Sequence, residues 1–157
     1  MEMIEKLPPK IETRKNFYLQ RVNQFYANIQ NWLKDENLTF SVKPTEIYEE
    51  LGHYIVPFLS IKTVDGELLA SMKPVGAAVI MAEGLIEVTG KFDNDYVDYM
   101  LVGGPTITEP SGIKRPIYQG VDVDGWYWDR FNAEPYLINN KTSLMQLISW
   151  VNDDEFI

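Results

Sequence analysis

Asp65-Gly66 lies between two stretches of alternating hydropathy, Phe58-Leu-Ser-Ile-Lys-Thr-Val64 and Glu67-Leu-Leu-Ala-Ser-Met-Lys73. Both turn residues tolerate positive φ, so this pattern is a strong local hairpin signal. A two-residue loop predicts that Thr63 faces Leu68, Ile61 faces Ala70 and Leu59 faces Met72. Lys62, Ser60 and Ser71 then fall on the opposite face. Turn and pattern select the same buried face, which is what specifies a register. The hairpin belongs to a longer meander, Tyr54–Val102, in which Glu83-Gly84 is read as a second tight turn. That turn would pair Met81 with Ile86 and Val79 with Val88. Pro74-Val-Gly76 reads as a break. Tyr96–Val102 is apolar on both alternating sets, as expected of a strand covered on both faces.

Around the meander the chain divides into recognisable parts. Residues 1–10 read as an irregular lead-in containing Pro8-Pro9. Residues 12–35 read as an amphipathic helix with Thr13 as N-cap and Tyr18, Val22, Phe25, Ile29, Trp32 and Leu33 as its apolar stripe. Asn37 stops that helix, and strands fill residues 38–102, with Pro44–Gly52 open to either a helical turn or an edge strand. Residues 103–124 are rich in Pro and Gly and read as irregular, the kind of long segment that often carries function. Residues 125–138 form a strand pair. A helix over 143–153 closes the chain, with Ser143 and Gln146 as its capping box. Connections this short exclude parallel crossovers. The expected class is therefore α+β in one domain: an antiparallel meander sheet packed by a long N-terminal and a short C-terminal helix.

The 157 residues carry a net charge of −9, unevenly distributed. Residues 1–50 hold seven Lys/Arg against eight Asp/Glu, and residues 51–157 hold seven against fifteen. An acidic body disfavours nucleic acid and anionic membrane, and complementary potentials favour a basic or mixed-charge protein partner. No apolar run is long enough to span a bilayer, and the N-terminus lacks a basic-then-apolar leader, so a cytoplasmic location is expected. The absence of cysteine excludes thiol catalysis and cysteine-based zinc sites within this chain.

Catalytic patterns are sparse. There is no Gly-x-Ser-x-Gly elbow and no phosphate loop, and His53 is the sole histidine, placed where a structural role in a turn suffices. Asp93-Asn-Asp95 with Asp98 begins like a calcium loop but lacks its glycine and closing glutamate. Asp122, Asp124 and Asp129 form a second acidic group, which could hold a cation or raise a carboxyl pKa, or simply serve turns. No cofactor is called for. Trp126-Tyr127-Trp128-Asp129-Arg130-Phe131 is the most unusual stretch. Alternation places Trp126, Trp128 and Arg130 on one face and Tyr127, Asp129 and Phe131 on the other. An exposed row would supply binding residues of the type enriched in hot spots. The competing reading is a core tryptophan pair beneath a helix.

In composition alone, without a shared motif, the chain resembles small acidic inhibitor or immunity-type bacterial proteins. The expected function is a non-enzymatic acidic protein-binding domain that contacts its partner through the irregular segment Gly103–Asp124 and the stretch with Trp126, Trp128 and Arg130, with Asp122, Asp124 and Asp129 adding charge complementarity. The alternative is a small-molecule-binding protein or small hydrolytic enzyme with a carboxylate pair, such as Asp122 and Asp124, in a pocket between sheet and helices. A homo-oligomer built on an exposed meander edge is a third reading.

Overall fold

Tyr18, Val22, Phe25, Ile29 and Leu33 recur at helical spacing, and all are essentially inaccessible to solvent. In a computed structural model, which describes residues 9–77, 82–130 and 134–153, they line the inner face of helix α1 (Pro9–Trp32). The helix begins before the expected Thr13 cap. Proline is suited to a first helical turn, where its missing N–H would have no partner anyway. Tyr26, off the apparent stripe, is also buried, whereas Phe17 is half exposed. Asn37 adopts φ 55° just after the helix and turns the chain into the sheet.

Seven antiparallel strands follow in the order β1-β2-β3-β4-β5-β8-β9. They are β1 (Leu38–Glu49), β2 (Gly52–Thr63), β3 (Leu68–Gly76), β4 (Gly84–Thr89), β5 (Asn94–Met100), β8 (Gly125–Trp128) and β9 (Tyr136–Leu137). Between β5 and β8, strands β6 (Thr106–Thr108) and β7 (Lys114–Pro116) form a separate two-stranded hairpin. Helix α2 (Lys141–Asn152) closes the described chain. This is the expected α+β class, with both helices packed on one face of the sheet around a single large core cluster. A smaller cluster of Met100, Val121 and Tyr127 covers the opposite face near β5 and β8. Strand β5 thus lies between two strands, with apolar cover on both sides. No helix among the described residues is long and apolar enough to cross a membrane.

The Asp65-Gly66 hairpin forms, with Leu59 facing Met72 and Ile61 facing Ala70. Thr63 does not face Leu68. The register shifts after Ile61, so Leu68 opposes Lys62. The cause is local: Thr63 accepts the Gly66 N–H on its carbonyl and the Glu67 N–H on its Oγ1, closing the turn itself. The second reading needs a larger correction. Ile86 pairs with Pro74 and Val97, and Val88 with Met72 and Asp95. Both flanks of β4 are therefore taken by β3 and β5, and the expected turn at Glu83-Gly84 is absent, since Gly84 opens β4. Val79 and Met81 lie outside the described residues. Pro44–Gly52 resolves as the end of the edge strand β1 and its tight turn into β2.

Proline disturbs this sheet, and α1 repairs it. Pro44 stands directly opposite Pro57. Neither has an N–H, so theirs cannot be a hydrogen-bonded pair, and each must direct its backbone polar edge away from the other. Pro44 thereby blunts the free edge of β1, and Pro57 presents a carbonyl but no donor towards β3. The β2–β3 ladder stops at Leu59/Met72. The Tyr26 hydroxyl fills the opening, 3.0 Å from the Pro57 carbonyl and 3.1 Å from that of Met72, its one proton shared between them. Tyr18 does the same at the bulge between β3 and β4. Its hydroxyl accepts the Gly76 N–H at 3.1 Å and donates to the Leu85 carbonyl at 2.6 Å. The Tyr18 ring lies so close to Gly84 that a Cβ there would fall 2.5 Å from ring carbon Cδ1.

Helix α2 is capped by Asn140, not Ser143. The Asn140 side chain accepts the Ser143 N–H at 2.8 Å, and Ser143 Oγ accepts the Asn140 N–H at 3.2 Å. Its other end is latched to the sheet by buried Asn152, which donates to the Leu69 carbonyl and accepts the Lys91 N–H. Replacing Tyr26 by Phe keeps the ring but leaves two buried carbonyls short of a donor. Tyr26→Phe is expected to lower the unfolding free energy by roughly 1–3 kcal/mol in urea titration. A loss below about 0.5 kcal/mol would mean that the opening needs no donor.

Candidate functional site

Strand β8 places the aromatic run as alternation predicts, but buries both of its rows. Trp126 and Trp128 are 5% and 4% exposed in the helix-side core, and Tyr127 is 1% exposed in the cluster behind the sheet. Of the two readings of this stretch, an open aromatic row and a core tryptophan pair beneath a helix, the burial of Trp126 and Trp128 matches the second. Trp126 stacks on Phe25 of α1 at 5.3 Å and donates its indole N–H to the Arg21 carbonyl at 3.3 Å. Tyr127 is covered by Met100 and Val121 and donates to the Val123 carbonyl. Phe131 lies outside the described residues.

Trp128 differs because it forms the floor of a surface cleft of about 910 Å³. The cleft gathers the ends of several elements. Asp95 comes from the start of β5, and Trp128, Asp129 and Arg130 from the end of β8. Ile117–Gln119 come from the segment after β7, Glu134 and Pro135 from the approach to β9, and Trp150 from the last turn of α2. Trp150 is held there by the α2 latch. The neighbouring Val151 carbonyl accepts the N–H groups of Phe92 and Asp93, just before β5. Its ring lies 5.9 Å from that of Trp128 and stays 58% exposed.

The polar groups of the cleft are arranged around those rings. Trp128 donates its indole N–H to Asp95 Oδ2 at 2.8 Å. The Tyr118 hydroxyl donates to Asp129 Oδ2 at 3.3 Å. The Arg130 guanidinium carbon stands 4.8 Å from the centre of the Tyr136 ring and 5.6 Å from Trp128, a cation on an aromatic pair. Nη2 donates to the Glu134 carbonyl at 3.5 Å, and the buried Nε has no hydrogen-bond partner among the described residues. Nor does Arg130 form an ion pair among them.

The six residues expected to bind a partner are thus divided. Trp128, Asp129 and Arg130 meet in the cleft. Trp126 and Asp124 line a smaller groove of about 340 Å³ between α1, β8 and β9, and Asp122 lines neither. Asp122 and Asp124 are both exposed, and Asp124 accepts the Val102 N–H at 2.7 Å, a turn-stabilising role. No group of three or more metal-ligating side chains is placed to hold an ion among the described residues, and Asp93 serves its own turn by accepting the Asn94 N–H. His53 stacks on Tyr48 and bonds Glu46 at 2.7 Å near the β1–β2 turn, far in sequence from the cleft residues. Sequence reading did not name Glu134 or Trp150 as site residues, singled out Asp95 only as part of a calcium-like acidic group, and reached Tyr118 only within the irregular segment 103–124.

Asp98, on β5 opposite Tyr127, is affected by the same carboxylates. Burial, and then the negative charges of Asp129 and Asp95, push its pKa up from 3.8 to about 7. Between those values the folded chain keeps a proton that the unfolded chain has released, so stability falls as pH rises through that window. Asp98→Asn keeps the shape and removes the ionisation. It is expected to raise the unfolding free energy at about pH 8 by roughly 2–4 kcal/mol and to converge on the parent near pH 4. Urea titrations across that range test this, and parallel pH profiles for the two proteins would refute it. No family model, curated protein or solved structure matches the chain.

Proposed function

We propose that the chain is a cytoplasmic, acidic protein-binding domain of inhibitor or immunity type. It recognises a basic or mixed-charge partner through the Trp128–Trp150 cleft. The observation that carries this reading is an open indole, Trp150, in one cleft with a guanidinium, Arg130, whose Nε has no hydrogen-bond partner among the described residues. Tryptophan, tyrosine and arginine are the residues over-represented among binding hot spots, and such anchors work best beside a pocket that excludes water. The carboxylates of Asp95, Asp129 and Glu134 supply the complementary charge for a basic partner.

The β6–β7 hairpin leads into this surface along the chain. Ile107 and Ile113 on it are exposed, and the chain runs from β7 directly into the cleft wall at Ile117–Gln119. Exposed apolar side chains on a projecting hairpin suit a protein partner better than a small ligand. A hydrolytic pair at Asp122 and Asp124 has less support, since neither the cleft nor the groove gathers both.

Affinity capture from a native lysate, with the full chain as bait, tests the reading. A partner retained by the parent is expected to be lost on Trp150→Ala and on Arg130→Ala, each weakening capture by about 10-fold or more. Added salt should also weaken it. Tyr48→Ala, at the exposed far end of the β1–β2 hairpin, should leave capture unchanged. Capture indifferent to both cleft substitutions would overturn the proposal.

A further inference from the structure

The cleft has a chemical bias of its own. Three carboxylates, Asp95, Asp129 and Glu134, line it against one cation, Arg130. Among the described residues, Asp95 accepts two hydrogen bonds, from the Trp128 indole and the Tyr96 N–H, and Asp129 accepts one, from Tyr118. An ionised carboxylate has about four acceptor positions, so both retain room for further donors. The rings are biased as well. The chain already seats one guanidinium on the Trp128–Tyr136 pair, which shows that this aromatic cluster accommodates such a group. Trp150 extends the cluster, keeps 58% of its surface open, and has no cation over it among the described residues.

Resting on the reading of the cleft as a protein-binding site, we infer that its occupant is an arginine side chain of the partner. The guanidinium would stack on the open face of Trp150 while donating to the carboxylates of Asp95 and Asp129. Arginine suits this site better than lysine for three reasons. Its planar fork can serve two carboxylate oxygens at once, it stacks on indole, and it is less strongly hydrated than an ammonium. The excess of negative charge in the cleft attracts the incoming cation despite Arg130. Glu134, at the rim beside Gly120, adds a third acceptor for the rest of the partner's segment.

The test titrates Nα-acetyl-arginine amide into the full chain and follows the indole N–H signals by nuclear magnetic resonance. Nα-acetyl-lysine amide and the neutral isostere Nα-acetyl-citrulline amide serve as comparators. Arginine amide is expected to shift the Trp128 and Trp150 signals saturably, with Trp126 and Trp32 little affected, and citrulline amide should shift none. Trp150→Ala and Asp129→Asn should each weaken binding about three- to fivefold. Both variants spare the fold, since Trp150 is mostly exposed and asparagine can still accept from Tyr118. Equal binding of citrulline amide, binding of lysine amide as tight as that of arginine amide, or no saturable shift would overturn the assignment. In each of those cases, loss of partner capture on Trp150→Ala would leave the cleft itself standing as the binding site. Capture indifferent to that change would remove both.

Discussion

Two hydroxyl groups on α1 hold together a sheet that its own backbone cannot close. Pro57 breaks the ladder between β2 and β3, and the bulge at Pro74/Gly76 breaks the one between β3 and β4. Tyr26 spans the first opening and Tyr18 the second. Burial holds both phenols well above their ordinary pKa, so each stays protonated and able to donate. The two tyrosines are eight residues apart on the inner face of one helix, so α1 is fixed in rotation and translation by hydrogen bonds as well as by apolar contact. An unsatisfied buried carbonyl costs more than an ordinary hydrogen bond contributes. The docking of α1 and the continuity of the sheet are thus one event.

That dependence sets the layout of the whole molecule. With α1 bound across β2, β3 and β4, the remaining area of the helix-side face lies towards β5 and β8, where α2 and the two tryptophans complete the core. Asn152 and the Val151 carbonyl bind the end of α2 to the backbone around Leu69 and Lys91–Asp93. Trp150 is carried on the last turn before this latch, and so its position beside Trp128 follows from the packing of the core. The cleft draws on β5, β8 and α2 and on two connecting segments, one from β7 to β8 and one leading into β9. In the first, the Gly103 N–H to Val121 carbonyl bond at 2.7 Å and the Ile117 N–H to Pro105 carbonyl bond at 3.0 Å tie the chain down.

Local signals in the chain were legible where neighbours in sequence decide the outcome. Alternation around Asp65-Gly66 identified the buried face and two of three cross-strand pairs, and alternation in Trp126–Arg130 placed the two tryptophans together. Failures arose where a distant group intervened. Pro74 and Gly76 look like a break because the Tyr18 hydroxyl that carries the strand across them comes from α1. Trp128 looked available because the residue over it, Trp150, belongs to another element. The cleft was half legible for the same reason. Trp128, Asp129 and Arg130 are contiguous, whereas Asp95, Tyr118, Glu134 and Trp150 arrive from four separate places that only the sheet order brings together.

Negative charge costs stability at this end of the sheet. Burial, and then the negative charges of Asp129 and Asp95, hold a proton on Asp98 near neutrality. A core designed for stability alone would avoid that cost by using apolar residues of similar size. The carboxylates are kept next to a guanidinium that forms no ion pair with them among the described residues, so the opposite charges nearby are not used to neutralise each other. The arginine inferred above as the occupant of the cleft would lessen the repulsion between Asp95 and Asp129. The cost of these carboxylates shows in the proton that buried Asp98 keeps, so the charge of the cleft and the stability of β5 are coupled through pH.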